Sequence, residues 1–199
     1  MSLTAIFGGT FNPFHIGHYK ILEALNNDTK IGKILLMPDR LPPHKTSKHL
    51  IDDETRLQMC RMVSEKFPKC ELCLIEFERE GKSYTIDTVK LLQERFPKED
   101  FAFVMGGDML VYFDKWYKYE ELMSLLPFIV FKRTETDDKE FEFCIKRFSG
   151  EGMEIILKDD IIPNISSTEL RANFENSKDL VPSDVYEFLA ERGVYNEKV

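Results

Sequence analysis

The sequence predicts an α/β fold, a doubly wound parallel sheet covered by helices on both faces, on three observations. Short apolar runs without polar alternation recur along the chain, which is how strands buried on both faces read. Amphipathic helical patterns separate them, as the crossovers of a parallel sheet require. The first run ends in Gly8-Gly9 just before a helical pattern. That strand, glycine turn and helix order presents backbone N–H groups to an anion.

Taken in order, Thr4 to Phe7 is the first strand, and the helix after it carries Tyr19, Ile21, Leu22 and Leu25 at helical spacing. Lys33 to Met37 is the second strand, stopped by Pro38. A polar loop with Pro42 and Pro43 leads to a helix starting near Asp52, with Leu57, Cys60, Val63 and Phe67 on one face. Cys70 to Ile75 reads as a strand, Ile86 to Phe96 as a helix and Phe101 to Met105 as a strand. Phe128 to Phe131 and Glu154 to Leu157 are further strands. The charged stretch from Arg133 to Lys146 is expected to be a loop and a solvated helix. Helices begin near Ser167 and Ser183, the latter burying Val185, Phe188 and Leu189. There is no internal repeat and no low-complexity linker, and 199 residues favour one domain over 1–199, its helical end (about 165–199) packing on the core.

Hydrophobic residues make up 43% and aromatics 12%, enough for a packed core. The net charge of −8 argues against a general nucleic-acid binder, which needs a basic face for phosphates. It leaves room for a small phosphorylated ligand held by a local cluster of His, Lys and Arg. No segment approaches the roughly 20 apolar residues of a membrane span, and the N-terminus lacks a signal-peptide pattern, so no membrane partner and a cytoplasmic location are expected. Four cysteines in a chain of this size do not read as a disulfide framework. Cys70-x-x-Cys73 and His44-x4-His49 have spacings that zinc can use, but on a strand the two cysteines face opposite ways, and no metal ligands are expected.

Two segments carry the chemistry. In Gly8-Gly9-Thr10-Phe11-Asn12-Pro13-Phe14-His15-Ile16-Gly17-His18, two histidines three apart share one face of a helix start and can address one anion. Gly17 between them costs roughly 1 kcal/mol against alanine in a helix, which points to a close approach to the backbone there. In Ile165-Ser166-Ser167-Thr168-Glu169-Leu170-Arg171, Ser166 or Ser167 can cap a helix with Arg171 one turn on. A phosphate site with its arginine is one reading of that segment, and an ordinary capped helix is the other. Ligands of open parallel sheets sit at the carboxyl ends of strands where the strand order switches, and both Gly8-Gly9 and Gly106-Gly107-Asp108 fall at such ends.

Besides these, the chain carries Leu41-Pro42-Pro43-His44-Lys45, Thr55-Arg56-Leu57, Ser83-Tyr84-Thr85-Ile86-Asp87-Thr88, Gly106-x-Asp108, Trp116, and an ending Leu180-Val181-Pro182 with Gly193-Val194-Tyr195. In this order and spacing, over nearly the whole length, it resembles the bacterial nicotinate-mononucleotide adenylyltransferases, nucleotidyltransferases with the His-x-Gly-His signature. The resemblance implies a Rossmann-like nucleotidyltransferase fold and two substrates, ATP and nicotinic acid mononucleotide. The phosphate of the mononucleotide would attack the α-phosphorus of ATP and release pyrophosphate, giving nicotinic acid adenine dinucleotide for NAD synthesis. Such a nucleophile is already ionised at neutral pH, so catalysis reduces to in-line positioning and charge neutralisation.

The same resemblance implies roles for individual residues. His15, His18 and Arg171 are the catalytic set, the histidines donating to the triphosphate and Arg171 acting with Thr168 on its outer phosphates. Gly8, Gly9, Thr10, Phe11, Gly106, Asp108, Ile165 and Ser167 complete the ATP site. Asp108 would accept hydrogen bonds from a ribose, with a plain helix N-cap as its other reading. Thr10 and Lys45 would hold the mononucleotide phosphate, and Tyr84, Thr85, Trp116 and Tyr117 the pyridine. Trp116 has packing as its plainer reading. Magnesium (Mg2+) would ride on the ATP phosphates with few protein ligands. The family often has Arg-Pro-Gly after the fifth strand, whereas Phe131-Lys132-Arg133-Thr134-Glu135 stands here; Arg133 keeps the arginine position on the substrate side.

Other readings stay open. The same transfer to nicotinamide mononucleotide or phosphopantetheine differs in the acceptor; phosphopantetheine enzymes are usually shorter, and Tyr84, Thr85 and Trp116 favour a pyridine. A class I aminoacyl-tRNA synthetase shares His15-Ile16-Gly17-His18, but no Lys-Met-Ser-Lys-Ser loop or anticodon module is present. A non-catalytic nucleotide sensor would show no product. The tract from Asp39 to Leu50 is the expected lid, and homo-oligomerisation is open.

Overall fold

The computed structural model describes residues 2–40, 50–79, 81–134 and 138–195. Lys45, His44, His49 and most of the expected lid from Asp39 to Leu50, namely residues 41–49, lie outside the described residues.

Six parallel strands form one sheet in the order β3-β2-β1-β4-β5-β6. They are β1 (Leu3–Gly9), β2 (Ile31–Pro38), β3 (Cys70–Leu72), β4 (Phe101–Gly106), β5 (Phe128–Arg133) and β6 (Ile155–Ile162). The helices are α1 (Ile16–Asn27), α2 (Asp53–Ser64), α3 (Thr85–Arg95), α4 (Gly107–Val111), α5 (Tyr119–Leu125), α6 (Asp138–Gly150), α7 (Ser167–Ala172) and α8 (Ser183–Glu191). The chain winds outward from β1 to β3, returns to the centre at β4 and winds outward the other way. The order therefore reverses between β1 and β4, the predicted crevice position.

The double cover is visible residue by residue. Ala5 and Phe7 of β1 join a core with Leu22 and Leu25 of α1, Met59 of α2 and Leu189 of α8. Ile6, between them, joins a second core with Val89 and Leu92 of α3 and Phe148 of α6. All six residues of β4 are buried, as an unalternating run requires. Backbone pairing between β1 and β4 spans Thr4–Ile6 against Phe101–Phe103, so the ends carrying Gly8, Gly9 and Gly106 run on unpaired with each other. Leu170, Phe174, Val181 and Val185 of the C-terminal helices belong to the first core.

Four elements differ from expectation, each for a packing reason. β3 stops at Leu72, and Ile75–Glu78 is a 3-10 turn that buries Ile75 and carries Glu76 to the Thr88 hydroxyl of α3. β6 runs on to Ile162 through Lys158-Asp159-Asp160, because an edge strand can leave charges in solvent. The face of α2 is set by Met59, Cys60 and Val63 together with a fully buried Arg56, while Leu57 is only half-buried and Phe67 lies past the helix end. Helix α6 is not merely solvated: Phe141, Cys144 and Phe148 sink into the second core.

Candidate active site

The N-terminus of α1 is capped by His15, in extended backbone at φ −133°, ψ 172°. Its Nδ1 accepts the His18 N–H (3.4 Å), and the His18 Nδ1 accepts the His15 N–H (3.3 Å). This is the geometry of a capping box, made by two imidazoles. The rings stack with centroids 3.6 Å apart and planes 19° apart. Because each Nδ1 is an acceptor, the proton of each neutral ring sits on Nε2, so both histidines offer one N–H donor. His15 is 2% exposed. Burial, and next the charge of Arg133, lower its pKa to about 3, so it is neutral at physiological pH.

The close approach foreshadowed by Gly17 is made by the chain itself. A Cβ there would stand 3.1 Å from the His15 ring and 3.1 Å from the Pro163 carbonyl oxygen. His18 is boxed by Phe11 and Phe14, at centroid distances of 5.1 and 5.2 Å, with Phe7 at 6.1 Å. Phe11 has φ +46°, a left-handed conformation that a bulky residue adopts only under constraint. Its ring lies over Gly9, where a Cβ would come within 3.0 Å.

Helix α7 brings Arg171 to this loop. Its Nη1 donates to the Asn12 carbonyl (2.8 Å) and the Ser167 carbonyl (3.0 Å), and its Nη2 to Thr168 Oγ1 (3.2 Å). The N-cap is Ser166, whose hydroxyl oxygen accepts the Glu169 N–H at 3.3 Å, which decides between the two serines. Ile165 is half-buried against the first core.

Across the crevice, Asp108 is no helix cap: Gly106 holds that position in α4, without a side-chain bond. The Asp108 carboxylate instead receives Arg133 Nε at 2.6 Å. A Cβ at Gly106 would stand 2.4 Å from Asp108 Oδ1 and 2.8 Å from Arg133 Nε, so a larger residue there would push this ion pair aside. Arg133, expected on the substrate side, thus links the end of β5 to Asp108 and acts electrostatically on His15. Thr10 Oγ1 donates to Asp39 at 3.3 Å. Arg56 ties the same two segments together, donating to the carbonyls of Thr10 (3.2 Å) and Asp39 and to the Asp53 carboxylate (2.7 Å).

The aromatic residues form a separate group. Tyr84, the N-cap residue of α3, packs on Tyr117 at 4.6 Å, and Thr85 opens a helix with no side-chain cap. Trp116 is half-buried, edge-on to Phe103 at 5.8 Å and tilted on Phe113 at 5.5 Å, so its ring is partly core. Tyr117 is half exposed with Lys118 Nζ above it at 5.4 Å.

Sequence reasoning assigned no role to Arg56, Asn12 or Tyr195. Each sits in a quoted segment, but their importance lies in bonds to distant residues. Tyr195 donates its hydroxyl to Asn12 Oδ1 at 2.6 Å, and Arg192 donates to Thr55 Oγ1 at 2.9 Å.

The model of the family described as cytidylyltransferase-like matches residues 6–173. The chain is 36% identical to the nicotinate-nucleotide adenylyltransferase of Bacillus subtilis, over 98% of this chain and 99% of that protein. It is 38% identical to a probable nicotinate-nucleotide adenylyltransferase of Fusobacterium nucleatum, over 88% of this chain and 89% of that one. In fold it is similar to Plasmodium falciparum nicotinic acid mononucleotide adenylyltransferase complexed with NaAD, with a TM-score of 0.82, 22% identity and 98% of each chain covered.

Proposed function

The chain belongs to the cytidylyltransferase-like family and, within it, to the nicotinate-nucleotide adenylyltransferases, and we propose that its stacked histidine pair and Arg171 are the catalytic set of that reaction. The enzyme transfers the AMP moiety of ATP to nicotinic acid mononucleotide, yielding nicotinic acid adenine dinucleotide and pyrophosphate in NAD biosynthesis. A P–O bond forms from the mononucleotide phosphate to the α-phosphorus, and the bond to pyrophosphate breaks. The C-terminal helices work as part of the same domain as the sheet.

The observation that supports the residue assignment is that the stacked pair His15 and His18 and the Arg171 guanidinium, bonded to the Asn12 carbonyl between Phe11 and Pro13, belong to one loop and its contacts. Charge builds on phosphoryl oxygens as pyrophosphate leaves, and fixed donors in a partly dry site stabilise it. A neutral His15 suits this role because it donates without needing a proton from solvent. Gly8, Gly9, Thr10 and Phe11 shape the phosphate loop, Ser167 and Thr168 flank Arg171 with Ile165 behind them, and Gly106 lets Asp108 and Arg133 meet beside the ribose. Thr10 and Lys45 address the mononucleotide phosphate; Tyr84, Thr85, Trp116 and Tyr117 enclose the pyridine.

Magnesium fits as an ion carried by the triphosphate. Phosphate and water oxygens suit a small hard ion. When bound it offsets charge on the phosphate oxygens.

The test is pyrophosphate release with ATP and magnesium, comparing nicotinic acid mononucleotide with nicotinamide mononucleotide at equal concentration. Strong preference for the acid is expected. Equal rates would make the enzyme dual-specific; silence with both would overturn the reading and turn attention to phosphopantetheine or a sensor role.

A further inference from the structure

We propose that Tyr195 is a positioning residue for adenylyl transfer, acting through Asn12 on the loop that carries His15 and His18. The proposal rests on the adenylyltransferase reading above and adds a residue outside the His-x-Gly-His and Arg171 segments.

Asn12 is where three remote parts of the chain meet. Its carbonyl accepts Arg171 (2.8 Å), and its Oδ1 accepts both the Ile51 N–H (3.3 Å) and the Tyr195 hydroxyl (2.6 Å). The side chain is itself buried, 7% exposed, so these acceptors have little water to fall back on. Tyr195 is held in turn by its ring, which packs on Phe174 at 5.2 Å, two residues past α7. One end of the tyrosine therefore packs on the turn that follows the helix carrying Arg171, and the other end holds the residue to which Arg171 is bonded.

The residue before Asn12 shows why this matters. Phe11 sits at φ +46°, a conformation costing on the order of 1–3 kcal/mol for a bulky side chain and kept only where neighbours over-determine it. The bonds converging on Asn12 supply that constraint from one side, and the Phe7 and Phe14 rings from the other. His18 packs edge-on to Phe11 at 5.1 Å, so a relaxed Phe11 lets the histidine drift. Shifts of this size matter for turnover, because a donor must meet the oxygen as charge develops on it. Burial raises the Tyr195 pKa above the usual tyrosine value, against the opposing pull of Arg171 and then Arg56, so the hydroxyl remains a donor across the working pH range.

The experiment is steady-state kinetics with ATP and nicotinic acid mononucleotide on wild type, Tyr195→Phe, Asn12→Ala, Asn12→Asp and the double variants, with thermal unfolding of each. Phe retains the packing on Phe174 and loses only the hydroxyl. Tyr195→Phe is expected to lower kcat about tenfold, the scale of one buried hydrogen bond, with KM for either substrate changed less than about threefold and an unfolding midpoint within a few degrees of wild type. It should lower kcat again in the Asn12→Asp background, whose carboxylate still accepts the hydroxyl. In Asn12→Ala, where the acceptor is gone, it should add nothing.

Wild-type kcat in Tyr195→Phe, or an undiminished effect in the Asn12→Ala background, overturns the proposal while leaving the adenylyltransferase reading intact. An inactive wild type overturns that reading instead. If Tyr195→Phe does not fold, the Asn12 pair decides: the Asp variant should retain several-fold more turnover than the Ala variant, and equal turnover overturns the proposal.

Discussion

His15 and His18 lie ring on ring, centroids 3.6 Å apart, each Nδ1 accepting the other's backbone N–H. One arrangement thus does two jobs. It satisfies N–H groups that a helix start would otherwise leave bare, and with Nδ1 accepting it leaves the ring proton of each neutral imidazole on Nε2. Capping and the proposed catalysis share the same two rings through different nitrogens, so substitutions here separate the two only if the replacement still caps.

His18→Ala removes the donor proposed to act as pyrophosphate leaves. Turnover should fall about 100- to 1,000-fold, with ATP affinity changed far less. Steady-state kcat and equilibrium ATP binding check this, and unchanged turnover would remove His18 from the catalytic set.

His15 should make the fold sensitive to acid. Its native pKa is about 3 against a reference of 6.5, so between those values the unfolded chain binds the proton and the native one does not. Its contribution to stability is intact above pH 6.5 and is lost as pH falls toward 3, with a slope of up to about 1.4 kcal/mol per pH unit. His15→Asn keeps an N-cap but does not titrate, so urea unfolding from pH 7 to pH 4 should show a shallower loss in the variant. The same variant should lose turnover at pH 7.5 while remaining folded.

Gly17→Ala sets helix propensity against space. Alanine gains about 1 kcal/mol in a helix, but its Cβ meets the His15 ring and the Pro163 carbonyl, both at 3.1 Å. The carbonyl is backbone and the ring is already stacked on His18, so the ring is what gives. The unfolding midpoint should move little while kcat drops at least about tenfold; full activity would show that the ring tolerates displacement.

Arg56→Met should be costly to stability. It removes the guanidinium donor shared by the part-buried Thr10 and Asp39 carbonyls, and a buried acceptor left unpaired costs about 1–3 kcal/mol at most. Urea denaturation should show a loss of about 2–5 kcal/mol. Arg56→Lys should recover part of it, since an ammonium reaches one carbonyl more readily than two. Wild-type stability in Arg56→Met would mean that the carbonyls find water.

Much of this protein was legible from local pattern. The unalternating runs around Ile6, Leu35 and Val104 require strands buried on both faces, and Gly8-Gly9 before a helical repeat places the phosphate loop. The glycine turn before His-x-Gly-His and the Ser166-Ser167 pair place two helix starts, because such signals act over a few residues. Tertiary structure alone decided which residues hold those pieces together. Asp108 could be read as a ribose ligand or a cap until Arg133 is seen on it, while the sequence assigns no role to Arg56, which is fully buried, or to Tyr195, whose hydroxyl meets Asn12, 183 positions away. The physical reason is range. Helix and strand periodicity and caps are written within a few residues of themselves, whereas a buried hydrogen bond between distant segments leaves no periodic trace and depends on how the sheet brings its strand ends together.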